Sequence, residues 1–250
     1  THTPCPEVRL EGIFVNRPRT PKMTAELIYY GHSCFELRMQ GKSIIFDPFI
    51  TPNPLAKGID IQALKPDYLL LSHGHNDHIA DAVALAQHSG CKVIACWEIH
   101  EWLQRQGISN TVPMNIGGTA DLGFARIRMT PAVHSSSFPD GTYAGQAAGF
   151  LLMSPELNMY YSGDTDLTRD MELIPDLCHL DLACICVGGH FSMDVHHALR
   201  CAEMIRCSQV IGMHFDTFEP IRINHAEAVA VFAEAGRKLS LPQIGEHLTI

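Results

Sequence analysis

Ser72-His73-Gly74-His75-Asn76-Asp77-His78 packs three imidazoles and a carboxylate into its last six residues, directly after the apolar run Tyr68-Leu69-Leu70-Leu71. The apolar run reads as a buried strand over 67–71, and the polar cluster as its C-terminal tip. His73 and His75 stand two apart, so in a locally extended turn they point the same way. Asp77 and His78 open a predicted helix over 79–88 and face a second position close by. Imidazole nitrogen and carboxylate oxygen are ligands for zinc, and also for manganese or iron. A merely solvated loop has no need of four such groups at one strand end.

Outward from this strand, the chain reads as two β-rich halves. Before it, residues 27–30, 34–39 and 43–46 form short runs broken by Gly31-His32-Ser33 and Gln40-Gly41-Lys42, a strand meander that Asp47-Pro48 stops. After it, the predicted helix ends at Gly90, residues 92–96 are strand-like, and a helix over 97–106 is closed by Gly107. The second half gives strands over 124–131, 147–153, 158–162, 180–187 and 208–213. Asp194 is placed to cap a helix over 195–206, and Asn224 with Glu227 begins another that ends at Gly236. Two such halves imply two sheets packed face to face with helices outside. A four-layer αββα sandwich fits, though the pattern alone does not single it out. Residues 1–22 hold Pro4, Pro6, Pro18 and Pro21 with no sustained period. The expected division is an extension over 1–23 and one domain over 24–250.

The 250 residues are 46% hydrophobic, enough for a large core. No apolar stretch approaches the ~20 residues that span a bilayer, and no secretory leader is visible. A net charge of −9 argues against a nucleic-acid partner, which clustered Lys and Arg would serve. A small-molecule substrate is expected instead, and a homo-oligomer stays open. Nine scattered cysteines suit a reducing cytoplasm. Cys178, Cys184, Cys186, Cys201 and Cys207 read as small buried hydrophobes.

Three further ligand types sit at the tips of apolar runs. His134 follows residues 127–132, Asp164 follows Tyr160-Tyr161-Ser162-Gly163, and His214 follows Val210-Ile211-Gly212-Met213. With the opening cluster they make seven, enough for two divalent cations. His73, His75 and His134 would hold one, and Asp77, His78 and His214 the other, with Asp164 bridging. Cations ~3.5–4 Å apart can share a water and bring its pKa toward neutrality, which supplies a hydroxide nucleophile. That is machinery for hydrolysing an ester, lactone, amide or phosphodiester.

His73-Gly74-His75-Asn76-Asp77-His78 with His134, Asp164 and His214 resembles the metallo-β-lactamase superfamily. More closely, it is similar to the metal-dependent hydrolases related to the bacterial ascorbate-6-phosphate lactonase. Tyr30-Gly31-His32-Ser33-Cys34-Phe35, Phe46-Asp47-Pro48-Phe49, Thr130-Pro131-Ala132-Val133-His134-Ser135-Ser136 and Gly188-Gly189-His190-Phe191-Ser192-Met193 carry this closer likeness. The resemblance runs from about residue 27 onward. It implies the αββα fold, the ligand assignment above, and two divalent ions, zinc first with Mn2+ or Fe2+ as alternatives. It implies a hydrolase of lactonase or phosphodiesterase type, on a substrate that can carry a phosphate. It also makes Asp47 the aspartate that steadies the histidine loop.

Besides Asp77, two catalytic candidates come from turns. His32, between Gly31 and Ser33, is expected to face the metals and contact substrate. His190, after two glycines that let the chain approach a ligand, is expected to protonate the leaving group or hold an oxyanion. Residues 49–61, rich in Pro and Gly, form a long loop expected beside the site. Lys57, Arg169 and Arg222 are the cations considered for an anionic substrate group. Alternatives are an RNA-processing nuclease, which the net charge opposes, and a metal-binding sensor without catalysis. A flavodiiron-type protein would need a glutamate where His75 stands.

Overall fold

The computed structural model describes residues 25–250, so the extension expected over 1–23 lies outside the described residues. Six strands come first in chain order: β1 (Glu26–Gly31), β2 (Cys34–Met39), β3 (Lys42–Phe46), β4 (Tyr68–Leu70), β5 (Lys92–Cys96) and β6 (Thr111–Met114). Seven follow: β7 (Thr119–Asp121), β8 (Arg126–Pro131), β9 (Ala148–Met153), β10 (Asn158–Tyr161), β11 (Leu182–Cys186), β12 (Gln209–Met213) and β13 (Lys238–Ser240). The last strand, β14 (His247–Thr249), returns to the first sheet and pairs antiparallel with β1. There Ile250 N donates to Ala25 O at 2.9 Å.

The two sheets have seven strands each, in the orders β14-β1-β2-β3-β4-β5-β6 and β13-β12-β11-β10-β9-β8-β7. In each, an antiparallel meander runs into a parallel set: β3 to β6 in one, β10 to β13 in the other. β1, β3 and β4 therefore point one way, as do β8, β10 and β12. The inner faces meet through Phe46, which stacks on Tyr161 at 4.8 Å and lies 6.5 Å from Phe150. Every residue of β9 and β11 is buried. Such strands read as continuous apolar runs because both faces are covered.

Six helices complete the outer layers: α1 (Asn76–Ile79), α2 (Ala82–Ser89), α3 (Trp97–Arg105), α4 (Ile174–Leu177), α5 (Val195–Met204) and α6 (His225–Glu234). Of these, α3 lies against β5 and β6, α5 against β11, and α6 against β13. The Asp194 cap is present, its side chain accepting from His197 N, and Asn224 accepts from Glu227 N. No described helix is long and apolar enough to cross a membrane.

The helix predicted over 79–88 needs correction. It starts three residues earlier and breaks at Asp81, leaving α1 and α2. Asp81 is buried, and its carboxylate accepts from Ile50 N at 2.6 Å and Thr51 N at 2.8 Å. A buried carboxylate needs such donors, and these pin the start of the 49–61 loop, with Phe49 and Ile50 buried. The sequence reading also missed β6, β7, β13 and β14. They are short, and β6 carries Pro113 on a sheet edge, where the missing N–H costs no ladder bond.

Candidate metal centre

All the strand-end groups converge at one rim of the sandwich. His32 follows β1, Asp47 follows β3, and His73 to His78 follow β4. His134, Asp164 and His214 follow β8, β10 and β12. Cross-sheet bonds hold the two rims together: His214 N donates to His32 O at 2.8 Å, and Ala148 N to Ser72 O at 3.0 Å. Gly163, which precedes Asp164, has φ +59°, and any Cβ there would run into the Ala148 carbonyl. Only glycine lets β10 turn so sharply.

His73, His75 and His134 form one group, and Asp77, His78, His214 and His32 another. Within each group the ligand atoms lie within 4.8 Å of one another. His73 Nε2 is 3.0 Å from His75 Nδ1, and the His134 ring lies 5.1 Å from both rings. Asp164 stands between the groups. Its Oδ2 is 2.8 Å from His214 Nε2, 3.3 Å from His78 Nε2 and 3.7 Å from His134 Nε2.

Several of these side chains are held from behind. Asp47 is fully buried. Its Oδ1 accepts from Ser72 N at 2.7 Å, and its Oδ2 from Ser72 Oγ at 2.5 Å and Tyr161 Oη at 2.8 Å. His78 Nδ1 lies 2.8 Å from the same Oδ2, which turns Nε2 toward Asp164. Asp47, His73 and His78 also cluster closely enough to suggest a third cation site, but those donors already engage both Asp47 oxygens. Ser72 Oγ lies 2.9 Å from His73 Nδ1, leaving that Nε2 to the centre.

His32 lies within the centre, buried beside Asp77. It is 1% exposed, and its Nε2 meets Asp77 Oδ2 at 3.0 Å while Nδ1 meets Thr217 Oγ1 at 3.0 Å. His190 joins neither group; it is exposed, with Phe191 as its ring neighbour. Of the two glycines before it, Gly188 is the one in tight contact. A Cβ on Gly188 would strike the carbonyl of His214, so the close approach is to the chain itself. Met193 N donates to Thr165 O at 3.0 Å and ties this turn to the loop after Asp164.

Sequence reasoning missed three supports. They are Tyr161, hidden in an apolar run, Thr217, and His225, whose Nε2 lies 2.6 Å from Asp216 Oδ2. Only the Tyr-Tyr pair ending β10 offered a signal. His196 and His197 are exposed on α5. Lys57, Arg169 and Arg222 are exposed too, and Arg222 pairs with Glu219 at 2.8 Å.

Seven described non-glycine residues have φ between +41° and +60°, and five of them, His32, Asp47, His190, His214 and Asp216, lie in or beside this rim. Each costs on the order of 1–2 kcal/mol. The strain is thus concentrated where side chains are aimed.

Burial pushes His32 down to about 4, helped by the nearby His214. It also holds His73 well below the usual imidazole range and lowers His75 and His134. For His78 burial acts the same way, but the carboxylates of Asp164, Asp77 and Asp47 outweigh it and hold the ring well above. For Asp164 burial acts upward, and His214 and His78 outweigh it. Asp164 Oδ1 and His78 Nε2 are buried without a hydrogen-bond partner. A buried cluster of imidazoles and carboxylates, with ligand atoms left without hydrogen-bond partners, fits divalent cations.

Comparison with known proteins finds relatives along most of the chain. The family model of the beta-lactamase superfamily domain matches residues 26–214. A UPF0173 metal-dependent hydrolase of Methylacidiphilum infernorum is 44% identical over 222 residues, covering 89% of this chain and 98% of its own. Its counterpart from Flavobacterium johnsoniae is 43% identical over 225 residues, covering 90% and 100%. Among solved structures, Igni18, a metallo hydrolase from the hyperthermophilic archaeon Ignicoccus hospitalis, aligns with a TM-score of 0.83. It is 34% identical and covers 91% of this chain and 99% of its own.

Proposed function

The chain belongs to the metallo-β-lactamase superfamily and, within it, to the UPF0173 metal-dependent hydrolases, and from that footing we propose that it hydrolyses a small ester, lactone or phosphodiester at a centre of two divalent cations, zinc foremost. One observation carries the dinuclear reading. Asp164 Oδ2 lies within 3.7 Å of imidazole nitrogens from both histidine groups, 2.8 Å from His214 and 3.7 Å from His134.

His73, His75 and His134 hold one cation in this reading, and Asp77, His78 and His214 the other, with Asp164 shared. Bound there, the cations would acidify a water and polarise the oxygen of the bond under attack. The protein's own part is orientation and proton handling. Asp47, gripped by Ser72 and Tyr161, fixes the His78 ring. His32 fixes Asp77. The Asp77 side chain is 27% exposed, against 2% for Asp164, so Asp77 is the carboxylate placed to take the proton of the attacking water. His190, exposed on a turn tied to the loop after Asp164, is the group we assign to return a proton to the leaving group.

The test is a screen of metal-loaded protein against ester, lactone, phosphodiester and β-lactam substrates, with Asp164→Asn in parallel. Cleavage of one class, lost in the variant along with one bound ion, is the expected result. No cleavage of any class by protein holding both ions would reject the catalytic reading.

A further inference from the structure

A cavity of about 690 Å³ opens beside the centre. Two of its wall residues reach the centre directly. His134 Nε2 is 3.7 Å from Asp164 Oδ2, and Ser135 Oγ is 3.4 Å from His75 Nε2. An occupant therefore has one end at the reacting bond. The volume suits a small organic molecule.

The rest of the wall has a definite chemistry. Ile116, Val133 and Tyr143 are apolar or aromatic, and Ser136 and Gln146 are polar but neutral. Among the described residues, no Lys, Arg, Asp or Glu lines the cavity. Val133 is 58% exposed and Tyr143 65% exposed, so both present apolar surface to an occupant. Neither is exposed through looseness. Val133 N donates to Thr165 Oγ1 at 2.9 Å. Tyr143 sits on a hairpin closed by its bridge to Ser137 and by Phe138 N to Thr142 O at 2.8 Å, and Phe138 stacks on Trp102.

A phosphate or carboxylate in this cavity would lose hydration and gain no cationic partner from its walls. An apolar body loses nothing polar and covers two exposed side chains. We infer that this cavity is the substrate subsite for an uncharged acyl or aryl body, so that the substrate is a neutral carboxylic ester or lactone rather than a phosphorylated one. The scissile bond rests on the hydrolase reading above; the binding preference does not.

The experiment compares two fluorescent probes on the metal-loaded protein: neutral N-phenyl-1-naphthylamine and its sulfonated relative 8-anilino-1-naphthalenesulfonate. The neutral probe should bind about tenfold more tightly. Tyr143→Ala should weaken it by about fivefold, and Val133→Arg should reverse the preference. Alongside, 4-nitrophenyl esters of one acyl chain, with and without a distal phosphate, are hydrolysed. Val133→Arg should lower KM for the phosphorylated ester with kcat little changed. Equal binding of both probes, or neutral-probe binding indifferent to Tyr143→Ala and Val133→Arg, would overturn the subsite. The expected binding pattern with no ester, lactone or phosphodiester cleaved would overturn the hydrolase reading and leave the subsite standing.

Discussion

His32 Nε2 lies 3.0 Å from Asp77 Oδ2 across 45 residues of chain, and Thr217 Oγ1 holds the other ring nitrogen at the same distance. The ring cannot turn without breaking both contacts. Its loss should free the Asp77 carboxylate and weaken the second cation by about 10–100-fold, as for other residues that orient a ligand. Calorimetric titration of His32→Ala with zinc should show one tight site kept and one weakened, with His32→Gln partly restoring it. Two unchanged sites in the alanine variant would remove this role.

Elemental analysis should find two divalent ions per chain. Where free metal stands hundredfold above its dissociation constant, chelation should lower the melting midpoint by about 5–10 °C for each ion removed. A limiting ratio of one ion would refute Asp164 as a shared ligand.

His75→Ala should abolish hydrolysis and remove the ion that His73 and His134 help to hold. His196→Ala, on the exposed side of α5, should leave metal content, activity and melting midpoint unchanged. Activity that survives in His75→Ala at wild-type level would contradict the site.

The Tyr161 hydroxyl lies 2.8 Å from both Ser33 O and Asp47 Oδ2. Tyr161→Phe keeps the stacking on Phe46 but removes a buried donor shared by Ser33 O and Asp47 Oδ2, at about 1–3 kcal/mol. Urea denaturation should show the loss, and zinc affinity should fall with it, because Asp47 is less firmly placed behind His78. Wild-type affinity in a destabilised variant would restrict Tyr161 to packing.

Glu36 gives a pH signature away from the centre. Burial would raise its carboxyl, but the Arg38 guanidinium, Ser43 and Tyr30 outweigh this and hold it below the usual range. A lowered folded value stabilises above the unfolded range and is lost as pH falls. Glu36→Gln should therefore cost about 1–3 kcal/mol above about pH 5, with the gap to wild type closing in more acid solution. A gap that widens in acid would show the sign to be wrong.

The sequence revealed most about the parts where chemistry is written in residue type. The seven candidate donors drew notice because each is a polar ligand type following an apolar run, and those runs are strands that end at one rim. The αββα layering followed from two β-rich halves with outer helices, once the resemblance was added. What escaped notice depends on three-dimensional partners. The break at Asp81 comes from Ile50 and Thr51, thirty residues away, and no local period encodes it. The burial of His32 is imposed only by the assembled rim. β7, reading Thr-Ala-Asp, has too few residues for any periodicity to show.

The chain begins its described course and ends it at one place, where Ile250 donates to the carbonyl of Ala25. The path is thus nearly a closed ring, and its connectivity can be recut. A circular permutant of residues 25–250, joined by a short linker and reopened at the exposed turn around Gly123, keeps every donor on its own strand. It should bind zinc as the parent does, since the centre depends on where strands end and not on which is made first.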